Sequence, residues 1–175
     1  MAAAELREVV RSVLCRGLTA EQADQLVRTT VPLETRAGTP VFREGDAPMG
    51  LLILVEGTVE IARRGPDGAE RTIATIDAPT VLGEMSLVTD QPHSATVRAR
   101  TDCRFHLLTK TQFHRLLGGE SVAAYKLIAT VAEVLARRLQ RMDDKVLELL
   151  ARREGAAPVE ELAVFKQKLF SEWSF

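Results

Sequence analysis

The chain has few of the residues on which metal sites and disulfide scaffolds depend. Among its 175 residues are two cysteines, Cys15 and Cys103, which lie far apart and lack the spacing of metal ligands. Cysteines placed like this are typical of small buried or free thiols, so we expect a reducing environment and no metal site. We also find no nucleophile and base at a usable spacing, which argues against an enzyme.

Charge of one sign and long apolar runs are missing as well. The net charge of -1 at pH 7 gives no long-range attraction to nucleic acid or to an acidic membrane. No apolar run approaches the roughly 18 residues that a membrane-spanning helix needs. The N-terminus has early acidic residues and no apolar core of a signal peptide. We therefore predict a cytoplasmic protein with no nucleic-acid or membrane partner.

What remains is an ordinary globular composition, 46% hydrophobic and 27% charged. The length suits one domain with additional helices. Residues 3–15 carry apolar side chains at helical spacing, which predicts an amphipathic helix. Thr19, with Gln22 three residues later, predicts a capping box at the start of a second helix. We assign residues 1–30 to these N-terminal helices.

The next region, residues 31–118, has the pattern of short β-strands separated by turn residues. The predicted strands are Val31–Arg36, Thr39–Arg43, Leu51–Val55, Thr58–Arg63, Thr72–Ile76, Ser94–Arg100 and Cys103–Leu108. Their even spacing predicts a mainly β fold, an antiparallel β-roll or jelly-roll-like barrel with flanking helices. A short helix over Thr111–Leu117 completes the region.

Residues 119–154 form a predicted long C-terminal helix. Its apolar side chains recur every three and four residues over a length that one small barrel cannot cover, so we expect pairing with a second copy. Residues 155–175 follow as a short helix with an aromatic tail, Phe170, Trp173 and Phe175, which would dock on the barrel or on a partner protein. Only 21 residues follow Glu154, against on the order of sixty for a winged helix-turn-helix, so we expect no DNA-binding domain.

The longest interruption of the strand pattern is the segment 82–96. It contains a strand end, the sequence Gly83-Glu84-Met85-Ser86-Leu87, a polar loop and a return through small residues. A glycine followed by a short helix predicts a concave pocket of free backbone N–H groups, which suits an anion. Loops that interrupt a rigid barrel commonly carry the function.

Taken in order, these features resemble the cyclic nucleotide-binding domain family, found in the catabolite activator protein and in protein kinase A regulatory subunits. The resemblance covers about residues 20–150. The matching segments are Thr39–Asp46 with its Glu-Gly-Asp turn, Leu51–Val59, Gly83–Leu87 at the start of the phosphate-binding cassette (residues 82–96), and the exit strand Ser94–Ala99. The resemblance implies a regulatory domain that senses cAMP or cGMP. The long helix would then act as a lid over the base, transmit the signal and form a dimer seam.

The resemblance also assigns roles within the cassette. Glu84 would accept a hydrogen bond from the ribose 2′-OH. Backbone N–H groups would hold the ribose and the cyclic phosphate, and those belong to Gly83, Met85, Ser86, Ser94 and Ala95. No cofactor is implied beyond the possible nucleotide ligand.

One position departs from the family pattern. The family places an arginine directly before the small-residue pair, and here that residue is His93. Losing a charge-assisted bond of roughly 1.5–3 kcal/mol weakens binding on the order of tenfold to a hundredfold. Histidine lacks the planar fork of arginine, and with a pKa of about 6.5 it is mostly neutral at pH 7. Arg98 and Arg100 could replace the charge only if their strand face turned into the pocket.

Two interpretations follow from His93. In the first, the domain remains a sensor, and a bound phosphate favours the charged form of the histidine. In the second, the fold is degenerate and serves as a protein-interaction or scaffold module with weak or no nucleotide binding.

Overall fold

The computed structural model of the protein describes residues 3–14 and 17–151. Two compact units are present, the first ending at Glu133 and the second beginning at Val134. The predicted aromatic tail of residues 155–175 lies outside the described residues.

Within the described residues, five helices and eight strands form. The helices are α1 (Ala3–Val13), α2 (Ala20–Thr29), α3 (Glu84–Val88), α4 (Lys110–Gly118) and α5 (Val122–Ala151). The strands are β1 (Val31–Thr35), β2 (Pro40–Phe42), β3 (Gly50–Glu56), β4 (Thr58–Arg64), β5 (Glu70–Asp77), β6 (Thr80–Leu82), β7 (Thr96–Ala99) and β8 (Cys103–Thr109). None of these helices combines the length and the hydropathy needed to cross a bilayer.

The strands form two four-stranded antiparallel sheets, which confirms the predicted mainly β roll. One sheet has the order β1-β8-β3-β6 and the other β2-β7-β4-β5. The core between them is apolar and includes Leu52, Leu54, Val59, Val97 and Phe105. In β3 every residue from Leu51 to Leu54 is buried, because helices cover the face of this strand that the core does not.

Strand β6 is the element that the sequence pattern does not predict as a separate strand. It has three residues, Thr80–Leu82, and pairs with Leu52–Leu54 of β3. Three residues are too few to establish a period of two, so the pairing depends on β3 and not on a local signal. The consequence is that the cassette starts from a strand fixed in the sheet.

Two helices start at capping boxes. The box of Thr19 and Gln22 opens α2 as predicted. A second box, formed by Thr109 and Gln112, opens α4 at Lys110, one residue before the predicted start. In each box the threonine hydroxyl accepts a backbone N–H while the glutamine side chain accepts the cap residue's own N–H.

Candidate ligand cassette

The cassette begins at Gly83, the N-cap residue of α3. Gly83 has a left-handed backbone with φ of 74°. A Cβ at this position would lie 2.6 Å from the backbone oxygen of Gly50 at the start of β3. Glycine is therefore required here both for the backbone conformation and for the close approach of the two chains. This contact seats α3 on the sheet.

Helix α3 places its three predicted ligand residues differently. Glu84 is 6% exposed and Ser86 is 3% exposed, whereas Met85 is 44% exposed. A buried carboxylate at the first turn of a helix is an unusual use of glutamate, since this residue type is rarely buried. The family resemblance predicts a ribose contact for this carboxylate.

His93 lies inside the protein, at 5% exposure, and contacts three separate segments. Its ring stacks on Phe42 of β2 with centroids 3.8 Å apart and planes 14° from parallel. The Nδ1 atom lies 3.1 Å from the Ser86 hydroxyl oxygen. The backbone N–H of Met49 donates to Nε2 across 3.3 Å. The side chain is thus occupied by protein contacts on both nitrogens and one ring face.

These contacts define the protonation state of the His93 ring. Because Nε2 accepts the Met49 N–H, it carries no hydrogen, and the ring hydrogen is on Nδ1, which donates to Ser86. Burial lowers the pKa of His93, and the negative charge of Asp46 partly opposes that shift. In this state His93 presents no positive charge to a ligand.

The main chain at His93 is also fixed. Its N–H donates to the Asp46 carbonyl at 2.9 Å, and its carbonyl accepts the Gly45 N–H at 2.8 Å. Beyond this pairing, Ser94 is exposed and Ala95 is half-buried. The Glu-Gly-Asp turn predicted from the sequence therefore holds the exit of the cassette in register.

Lys110, the first residue of α4, binds the loop that follows α3. Its Nζ donates to the Thr89 carbonyl at 2.7 Å and pairs with the Asp90 carboxylate. This ion pair lowers the pKa of Asp90. Lys110 thus connects the cassette to the start of α4.

The arginines of the exit strand contact other strands of the same sheet, and Arg100 donates to the Thr75 hydroxyl of β5 at 3.5 Å. Arg98 pairs with Glu60 at 3.1 Å and Glu70 at 2.8 Å, on strands β4 and β5. The ion pair with Glu70 raises the pKa of Arg98 most, and the pair with Glu60 shifts that pKa in the same direction. Within residues 3–14 and 17–151, no three histidine, cysteine or acidic side chains are grouped as metal ligands.

Comparison with known proteins agrees with this geometry. Residues 32–119 match the model of the cyclic nucleotide-binding domain, which covers half of the chain. The chain belongs to the cyclic nucleotide-binding domain family. The relatives that it matches include regulators, and the structural neighbours include the catabolite activator protein.

Two relatives and one further structure show the extent of the similarity. The cyclic AMP receptor protein of Thermus thermophilus is 31% identical over 82% of this chain and 64% of its own length. The CRP-like cAMP-activated global transcriptional regulator of Mycobacterium tuberculosis is 25% identical over 81% and 62%. A cyclic nucleotide-binding domain from Methylobacillus flagellatus superposes with a TM-score of 0.74 at 22% identity, covering 90% of this chain and 86% of that one. The chain therefore spans a little under two thirds of the two curated relatives.

The structure brings part of the predicted site together. Gly83 and Ser86 both lie close to the His93 ring. Glu84, which follows Gly83 in the sequence, is buried. Sequence analysis missed Phe42, Met49 and Lys110. Phe42 falls in a segment that already matched the family, but nothing local indicated its contact with His93. Met49 acts through its backbone N–H, which leaves no trace in a sequence.

Proposed function

We propose that this cyclic nucleotide-binding domain is a regulatory module that binds cAMP or cGMP in its cassette. The observation that carries the proposal is the assembled cassette: α3 is seated on β3 through Gly83 and Gly50, with the Glu84 carboxylate buried at its first turn. The names of the relatives, which describe cAMP receptors and cAMP-activated regulators, support the choice of ligand.

In this proposal each cassette residue binds without catalysing a reaction. Glu84 accepts the ribose hydroxyl, and backbone N–H groups of Gly83, Met85, Ser86, Ser94 and Ala95 hold the sugar and phosphate. The bound state is transmitted through α4, which Lys110 links to the cassette, and then through α5. Helix α5 also serves as a homodimer seam.

A second candidate is supported by the position of His93. A neutral histidine with both nitrogens bonded to protein atoms offers no charge for a phosphate. A domain of this kind would keep the roll as a protein-interaction or scaffold module and bind nucleotide weakly or not at all.

Titration calorimetry with cAMP and with cGMP distinguishes the two candidates. We expect measurable but weak binding, and His93→Arg should bind about ten to a hundred times more tightly because it restores a charge-assisted bond. Glu84→Gln should weaken binding, whereas Glu21→Gln on the exposed surface of α2 serves as the matched control. Absence of heat with both the natural protein and His93→Arg at millimolar nucleotide would support the scaffold function instead.

A further inference from the structure

We propose that His93 closes the cassette as a neutral internal residue in the free protein and becomes the cationic partner of the phosphate on binding. His93 would then take up one proton from solvent for each cyclic nucleotide that binds. This inference rests on the proposed nucleotide binding and goes beyond it by assigning the chemistry that replaces the family arginine.

The first argument is the set of contacts made by the ring. His93 joins β2, the segment before β3, and α3 through Phe42, Met49 and Ser86. A Cβ added to Gly83 would be 3.8 Å from Cε1 of His93, so the ring lies alongside the turn into α3. The neutral ring thus fills space next to the residues proposed to hold the ligand.

The second argument is that hydrogen bonds fix the backbone of His93, whereas rotation about its side-chain bonds does not disturb them. Two hydrogen bonds hold the His93 main chain against Gly45 and Asp46. Rotation about the side-chain bonds moves the ring without breaking either of them. His93 directly precedes Ser94, whose N–H is assigned to the phosphate, so a rotated ring remains within reach of the same ligand group.

The third argument is the proton balance. In the free protein the only ring hydrogen is on Nδ1, and Nε2 accepts the Met49 N–H. On binding, Nε2 gains a proton from solvent and the bond from Met49 is broken. The resulting imidazolium has two N–H donors and one positive charge, which matches the single negative charge of a cyclic phosphodiester. No covalent bond to the ligand forms or breaks.

The charges around the ring favour this conversion once a phosphate is present. The acidic groups on the surrounding elements are Glu44 and Asp46 in the turn after β2, and Glu84 on α3. Glu44 accepts the Arg64 N–H, and Asp46 accepts the Arg43 N–H. Burial keeps the free ring neutral against the charge of Asp46, and an added anion would stabilise the protonated form.

The test measures proton uptake directly. Calorimetric titrations with cAMP in two buffers of different ionisation enthalpy give the number of protons bound per nucleotide. At pH 7.5 we expect net proton uptake, of up to one proton per nucleotide, for the natural protein and about zero for His93→Arg, which is charged in both states. His114→Gln, at an exposed position on α4, is the matched control and should keep the uptake.

The pH dependence of affinity gives a second readout. Between the pKa values of the free and bound states, affinity should rise up to about tenfold for each unit by which the pH falls. His93→Arg should show no such slope. Binding with no proton uptake and no slope overturns this inference and leaves the proposed nucleotide function intact, whereas no binding by either protein overturns both.

A third readout needs neither ligand nor variant. Imidazole nitrogen chemical shifts of the free protein at pH 7 should identify His93 as neutral with its hydrogen on Nδ1. A hydrogen on Nε2, or a charged ring, would contradict the closed state on which the inference depends.

Discussion

His93 makes the stability of the roll depend on pH, because burial lowers the pKa of its ring in the folded state. Burial lowers the pKa of His106 in the same way. In the unfolded chain both pKa values return to about 6.5, so the unfolded state binds more protons just below that pH. The stability gained from the neutral rings is complete above about pH 6.5 and is lost as the pH falls through the folded-state pKa values.

We therefore expect the free energy of unfolding, measured with urea, to decrease between pH 6.5 and pH 5. His93→Gln should remove part of that decrease, because the titrating group is gone. The matched variant His114→Gln, at an exposed site, should keep the natural slope. Equal slopes for all three proteins would show that His93 does not titrate differently on folding.

Gly50 gives a second prediction at the scale of a residue. It has φ of 129°, and a Cβ there would overlap the Leu108 carbonyl. Gly50→Ala should lower the free energy of unfolding by more than about 3 kcal/mol, because a strained backbone and a backbone clash combine. Gly68→Ala is the matched control at φ of 78° with open space, and should cost about 1 kcal/mol. Similar losses in both variants would mean that the clash relaxes.

The positions that form the cassette were predictable from the sequence, but the contacts that their side chains make were not. The order of Gly83, Glu84, Ser86 and His93 is a local pattern. The hydrogen bond between Met49 and His93 joins residues 44 positions apart, and no periodicity encodes it. His106 is half-buried and contacts Thr30, which is 76 positions away.

At the scale of elements, Lys110 is one connection between the cassette and α4. Lys110→Met removes the exposed ion pair with Asp90 and the hydrogen bond to the Thr89 carbonyl, the latter worth about 1 kcal/mol, so amide exchange in residues 85–92 should accelerate about fivefold. Hydrogen exchange followed by mass spectrometry measures this change. Lys126→Met is the matched control, because Lys126 donates to the Gly17 carbonyl instead. Its effect should appear between α1 and α2, and an equal effect on the cassette would contradict the assignment.

The elements themselves follow from sequence wherever a pattern is long enough. Alternating and apolar runs located seven of the strands. A turn at residues 65–68 joins β4 to β5. Strand β6 was not predicted, because its three residues carry no local pattern and depend on their pairing with β3. The predicted start of α4 is one residue late, because Thr109 is both the last residue of β8 and the N-cap of α4, and no turn residue separates the two elements.

At the scale of the whole molecule, α5 continues past Glu133 into the second compact unit. In that unit Leu139 and Met142 are 48% and 65% exposed, at a spacing that puts them on one helix face. We expect a homodimer through this face, with light scattering at tens of micromolar giving about twice the 19.3 kDa of the chain.

The matched variants for this prediction are neighbours on the helix. Leu139→Glu places a charge on the apolar face and should shift the mass toward the monomer. Gln140→Glu adds a similar charge at the next exposed position and should leave the dimer intact. A monomeric mass for the natural chain would rule out the seam.

A regulator built on the neutral ring of His93 would combine two inputs in one output. The fraction of domains with bound nucleotide would depend on pH as well as on nucleotide concentration, because binding would require a proton in addition to the ligand. A rise in nucleotide and a fall in pH would then reinforce each other, and either alone would produce a smaller response. If this proposal holds, the histidine at the position of the family arginine would make the response depend on nucleotide and proton together.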